Sequence, residues 1–241
     1  MAKRRGDSGR KDAGWQAYFL KAWQDAKGLF DYRQADTTLA GALPGARFYG
    51  ALAIIAAAGI IACAITMATN LEAAYLANFM IDTLREAGMG TVEHITAAGL
   101  APMMAANFLL IVPFGIAYEI AVAAASFSIL RLMGGKGTLA AHFQLYSLVF
   151  LAQSMVTVLA LAIPLPCLNM LAMVAMVVIT IYLCVYVRAK AYVAVHQVPF
   201  AYALALAGVL LIGNTVVITC VTNALAAFFG LPQIPINILG V

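Results

Sequence analysis

Charge is what this chain has least of. Asp, Glu, Lys and Arg make up 10% of its 241 residues, where a soluble domain carries about 25%. The set AVILMFWYC reaches 64%, and mean hydropathy is +0.95. A soluble fold needs polar side chains on its outer face, so this composition excludes one. Disorder is excluded for the same reason. A net charge of +4 makes no broad basic face and argues against nucleic acid as a partner. Closely spaced cysteine is missing too: Cys63, Cys167, Cys184 and Cys220 form no CxxC pair and no zinc-like Cys/His cluster. Enzyme signatures are absent, with no HExxH, GxSxG or DxxD, and His94, His142 and His196 lie far apart in sequence. The expectation is an all-α, polytopic integral membrane protein that is not an enzyme and carries no metal or other cofactor.

The chain divides at about residue 48. Residues 1–48 hold nine basic and five acidic residues and read as a segment outside the bilayer, with no cleaved signal peptide. Residues 49–241 hold five apolar runs, at about 49–69, 103–130, 142–163, 167–187 and 200–228. Each is long enough to cross roughly 30 Å of hydrocarbon as a helix. They are too long and too uniformly apolar for barrel strands, which alternate. Pro164 and Pro166 stop the third run, and Arg188 with Lys190 stops the fourth.

Placing the basic residues orients the bundle. With the N-terminus cytoplasmic, the segments 1–48, 131–141 and 188–199 hold thirteen of the fourteen Lys and Arg, leaving Arg85 on the other side. The positive-inside rule expects this arrangement, and an added or missing span would scramble it. Five spans, N-terminus inside and C-terminus outside follow. The outside link 70–102 is expected to hold a helix over 71–87, stopped by Gly88 and Gly90. That helix either rests on the outer ends of the spans or forms a binding surface.

Within the first segment, 13–33 has helical periodicity. Trp15, Phe19, Trp23, Ala26 and Phe30 fall on one face, with Leu20 the main apolar exception. An aromatic stripe beside Lys21 and Lys27 suits a helix lying in the membrane interface, with Trp15, Phe19, Trp23 and Phe30 as the lipid-facing residues. The alternative is a helix docked on the protein's own cytoplasmic side. Residues 1–12 read as disordered, with basic residues suited to anionic lipid.

Glu119 is the one charge inside an apolar run. It lies twelve residues from Arg131, about 18 Å at 1.5 Å per residue and so near the midplane. An ionised carboxylate there is costly, so it is expected to be protonated or strongly partnered. Gln153 and Asn214 fall at similar depth on other spans, which suggests a midplane polar cluster of Glu119, Gln153 and Asn214. Such a cluster either fixes packing through interhelical hydrogen bonds or relays a proton or ion in a small transporter or channel. Small-residue pairs four apart, among them Ala58 with Ala62, Gly59 with Cys63 and Ala121 with Ala125, allow close helix approach within one chain or between copies. The link RLMGGKGTLAA fails the phosphate-loop pattern and reads as a tight helix–helix turn.

The stretch from about 119 to 210 contains ILRLMGGKG, then HFQLYSLVFLAQSMVTVLALAIPLP, then VYVRAKAYVAVHQVPFAYALA. It resembles the prokaryotic branch of the YIP-domain (Ypt-interacting protein) family. Gly134, Gly135, Tyr146, Pro164, Arg188 and His196 are the positions that match that family's pattern. The resemblance implies five helical spans and a cytoplasmic N-terminus. It further implies a role in organising membrane or partner proteins, with a GTPase partner as in eukaryotic members. Lipid bilayer, other membrane proteins or a second copy are the expected partners, and for a prokaryotic chain the cell membrane is the expected location.

Overall fold

The computed structural model describes residues 8–88, 112–161 and 166–228, with His94, Thr96, Ala105 and Leu109 as single residues between them. All regular structure among the described residues is helical. In chain order these are α1 (Ser8–Gly28), α2 (Ala35–Ala42), α3 (Phe48–Glu86), α4 (Val112–Leu132), α5 (Leu139–Leu161), α6 (Pro166–Ile181), a π-helical segment (Tyr182–Val187), α7 (Arg188–His196) and α8 (Phe200–Phe228). Among the described residues four stretches are long and apolar enough to cross a membrane: Val112–Leu132, Leu139–Val156, Val174–His196 and Phe200–Val217.

α5 is the central helix. In its membrane-length window 72% of residues are buried, against 11% for α8, so α5 is the hub and α8 lies at the edge. Leu145, Leu148, Val149, Ala152 and Val156 carry its apolar packing against α1, α2, α3 and the π segment. Phe143 and Tyr146 face α3 and α4 through Ala51, Ile55, Val122 and Ala123. Gly59 allows close approach of α3 to α4, since a Cβ there would stand 2.8 Å from Ile116. Ala121 and Ala125 face away from the chain.

Several expected boundaries move. The last run matches α8, which covers Phe200–Phe228. The first run does not end near Thr69: α3 continues as one helix of 39 residues, about 58 Å at 1.5 Å per residue. No Gly or Pro occurs between Gly59 and Gly88, so nothing breaks the helix before Gly88, whose φ of +73° ends it. The helix expected at 71–87 is therefore the far end of α3, and its Phe79 and Met80 are exposed. Residues 103–111 of the second run lie outside the described helices, as do Gly90 and Pro164.

The fourth run corrects most. Arg188 and Lys190 do not stop the helix, which passes through the π segment and ends at His196. Arg188 is 1% exposed, not a charge in a cytoplasmic link. The segment 188–199 is helical for nine of its residues and leaves the helix at Gln197, a left-handed cap with φ of +57° followed by Pro199.

The N-terminal segment is more ordered than expected. Ser8–Asp12 belong to α1 instead of a disordered tail, and α1 ends at Gly28, not near Arg33. Phe30 consequently sits in the turn after the helix. α2 was not anticipated from the sequence. It is pinned to α7 by Lys190 Nζ, 2.7 Å from Asp36 Oδ2.

Candidate functional site: a buried polar core and an outer aromatic face

The turn Gly134–Gly137 closes one end of the bundle. Gly134, with φ of +86°, is the left-handed residue after α4. Gly134 N donates to Arg131 O at 3.1 Å and Gly135 N to Leu130 O at 2.8 Å, the paired bonds of a Schellman cap. Gly135 serves close approach: a Cβ there would stand 2.6 Å from Leu130 O and 2.8 Å from His196 Nδ1. Lys136 N donates to His196 O at 3.1 Å, so the turn is laid directly over the end of α7.

Beneath this turn three helices each contribute polar side chains at helical spacing. α4 supplies Glu119 and Ser126, α5 supplies His142 and Tyr146, and α7 supplies Arg188, Tyr192 and His196, all buried. Positions four apart on a helix share a face, which brings 142 with 146, and 188 with 192 and 196, into two facing rows. Tyr146 donates its hydroxyl to Glu119 Oε2 at 2.5 Å. The Arg188 guanidinium lies 4.8 Å from the centroid of the same ring. Tyr146 thus sits between the two buried charges, bonded to the anion and stacked under the cation. One turn away, His142 Nδ1 and His196 Nε2 are 3.0 Å apart, and His142 Nε2 is 3.0 Å from Ser126 Oγ. Tyr192 stacks on His142, with centroids at 5.4 Å and planes 10° apart.

The hydrogen bonds of the three residues expected at one depth run to different partners. Glu119 is bonded by Tyr146, Gln153 Oε1 accepts from Cys184 Sγ at 3.0 Å, and Asn214 Oδ1 accepts from Tyr118 OH at 2.8 Å. Of the six family-pattern positions, Gly134, Gly135, Tyr146, Arg188 and His196 gather in this core and its covering turn. Sequence reasoning missed His142, Tyr192 and Ser126. The signal was the pair of four-residue spacings in 142/146 and 188/192/196; the 54 residues between His142 and His196 concealed it.

The second feature is the outer face of α1. Ala22, Ala26 and Leu29 are buried against α5 and its neighbours. Tyr18 donates a hydrogen bond to the Gln144 amide oxygen. Burial raises the Tyr18 phenol above its ordinary value, so it stays protonated and donating at neutral pH. On the other side Trp15, Phe19, Leu20 and Trp23 line an open groove with Gln16. Trp15 and Trp23 are each 44% exposed and Leu20 64%. The expected stripe thus loses Ala26 to the docked face and gains Leu20. α1 is docked on its own bundle and still presents an apolar face outward.

No protein-family model, curated protein or solved structure matches the chain. Fold and side-chain placement define the class: among the described residues all regular structure is helical, with four helices long and apolar enough to cross a membrane.

Proposed function

We propose that this chain is a non-enzymatic, YIP-like membrane protein that organises lipid or partner proteins through the outer face of α1. In this reading α3 supplies a fifth span. It is supported by the charge-free run from Phe48 to Leu71. The N-terminus is cytoplasmic and the C-terminus outside, because the basic residues of α1, the following turns and the 131–136 link fall on one side. α1 then lies at the cytoplasmic interface, its Tyr18 side on the bundle and its Trp15 side in lipid headgroups. A GTPase or a second membrane protein as the bound partner rests on the family resemblance.

The observation that carries this reading is the exposed group Trp15, Phe19, Leu20 and Trp23 on a helix already anchored to a bundle of apolar helices. Contiguous exposed apolar surface marks an interaction site, and tryptophan is enriched at the membrane interface. The chain holds only two tryptophans, both on this face, so intrinsic fluorescence reports it directly. In vesicles, lipids brominated near the headgroup are expected to quench the emission, and Trp15→Ala with Trp23→Ala to abolish partner co-purification in mild detergent. Water-exposed, unquenched emission overturns the reading.

A second reading, a small transporter using Glu119, is favoured by the burial of that carboxylate with Tyr146 and Arg188. It requires proton or ion flux in proteoliposomes that Glu119→Gln removes. Absence of flux under imposed gradients refutes it.

A further inference from the structure

We propose that Glu119 exchanges protons with the end of the bundle closed by the Gly134–Gly137 turn, along a hydrated path over Arg188, Tyr192, His142 and His196. The inference needs no transport across the whole membrane and does not depend on what α1 binds.

Two observations carry it. The first is the alignment of titratable side chains. Arg188, Tyr192 and His196 run along one face of α7 over about 12 Å, opposite His142 and Tyr146 of α5 and Glu119 and Ser126 of α4. The groups facing Glu119 are Tyr146 and Arg188, with Tyr118 of α4, Tyr192 of α7 and Cys184 of the π segment nearby. Those facing His142 are Ser126, Tyr192, His196 and Arg188. His196 faces His142 and Arg131.

The second is where the protein leaves bonds unmade. Among the described residues, Arg188 Nε and Nη1, Tyr192 OH and His196 Nδ1 are buried without a protein hydrogen-bond partner. Arg188 keeps its charge in any protein environment. Buried donors and acceptors of this kind are satisfied by ordered water, which accepts from guanidinium and donates to a phenol or carboxylate. Tyr192 lies on the His142 ring and Arg188 on the Tyr146 ring that bonds Glu119, so these two residues connect the histidine pair to Glu119, while His196 Nδ1 lies at the other end beneath Gly135.

The bonding pattern fixes the direction of each handover. The Ser126 hydroxyl donates to Ala123 O at 3.0 Å. His142 Nε2–H therefore donates to Ser126, and His196 Nε2–H donates to His142 Nδ1. His196 Nδ1 is left as a bare acceptor beneath Gly135. A proton arriving there releases the Nε2 proton to His142 Nδ1. His142 in turn releases its Nε2 proton through Ser126 to water on Arg188 and Tyr192, and that water protonates the Glu119 carboxylate. Each step moves one proton between lone pairs, with no electron transfer, and ring reorientation restores the starting tautomers.

The test is infrared spectroscopy of the full chain in lipid vesicles. The carboxylic-acid C=O band that Glu119 gains on protonation is assigned by its shift in Glu119→Asp, and its rise after a drop in pH is timed. His142→Gln with His196→Gln is expected to slow that rise about a hundredfold, the contribution of positioned proton-transfer groups. An unchanged rate overturns the proposal. A measurement on the unaltered protein covers the case in which that variant does not fold: the histidine ring nitrogen-15 signals are expected to exchange with solvent no more slowly than the Glu119 band rises. Ring nitrogens that exchange more slowly than that band rises overturn the path.

Discussion

Two groups of aromatic residues at helical spacing lie in this molecule, and they differ in what their rings meet. In the core the rings are Tyr146, Tyr192, His142 and His196, buried together with Glu119 and Arg188. On α1 the outward rings are Trp15, Phe19 and Trp23, grouped with Leu20 and facing away from the chain. The core rings carry charge into an apolar bundle: Tyr146 bonds the carboxylate while its face meets the guanidinium. The α1 rings have no such internal task and stay 38–44% exposed. Aromatic residues at helical spacing thus serve opposite ends here, and burial beside a charge separates the two.

The largest expected effect breaks the core and spares α1. Glu119→Gln leaves Arg188 charged and uncompensated, a loss of about 3–5 kcal/mol, read as thermal unfolding in detergent. Arg188→Met is expected to cost less, because Glu119 is able to take up a proton once its cation is gone. The brominated-lipid quenching of the tryptophans should survive in any fraction that stays folded.

A smaller effect separates the two groups at their junction. Tyr18→Phe leaves the buried Gln144 amide oxygen without its donor, about 1–3 kcal/mol. Backbone amides of Ser8–Gly28 should then exchange faster than those of α5. Equal protection in the variant would show that α1 docking does not rest on this bond.

The smallest effect sharpens the contrast by leaving both groups intact. Gln197 is exposed and holds a left-handed φ of +57° after α7. Gln197→Gly should raise stability by about 1 kcal/mol, with core exchange and tryptophan quenching unchanged.

Much of the fold was legible before the structure. Phe200–Phe228 was readable end to end because it carries no charge and follows Pro199. The helix continuing to Glu86 was half legible: Gly88 was recognised as a stop, but the chain between Thr69 and Leu71 was read as a break although it contains no breaker. Arg188 was the least legible residue. A basic residue after an apolar run ordinarily marks the exit from the membrane, and only a neighbouring ring and a carboxylate on other helices allow it to be buried. Those partners lie 42 and 69 residues away in sequence. The same distance hid the pairing of His142 with His196. Ala26 was misassigned because its small side chain reads equally well on either face of a helix, whereas Leu20 was set aside by strict periodicity.

The central claim is that Glu119 and Arg188 act as one unit through Tyr146, and a double-mutant cycle tests it most directly. Unfolding is measured for the unaltered chain, Glu119→Gln, Arg188→Met and the double variant. A coupling of about 1 kcal/mol or more, with the double variant less destabilised than the sum of the single changes, is the predicted result. Effects that add to within about 0.5 kcal/mol would contradict the claim.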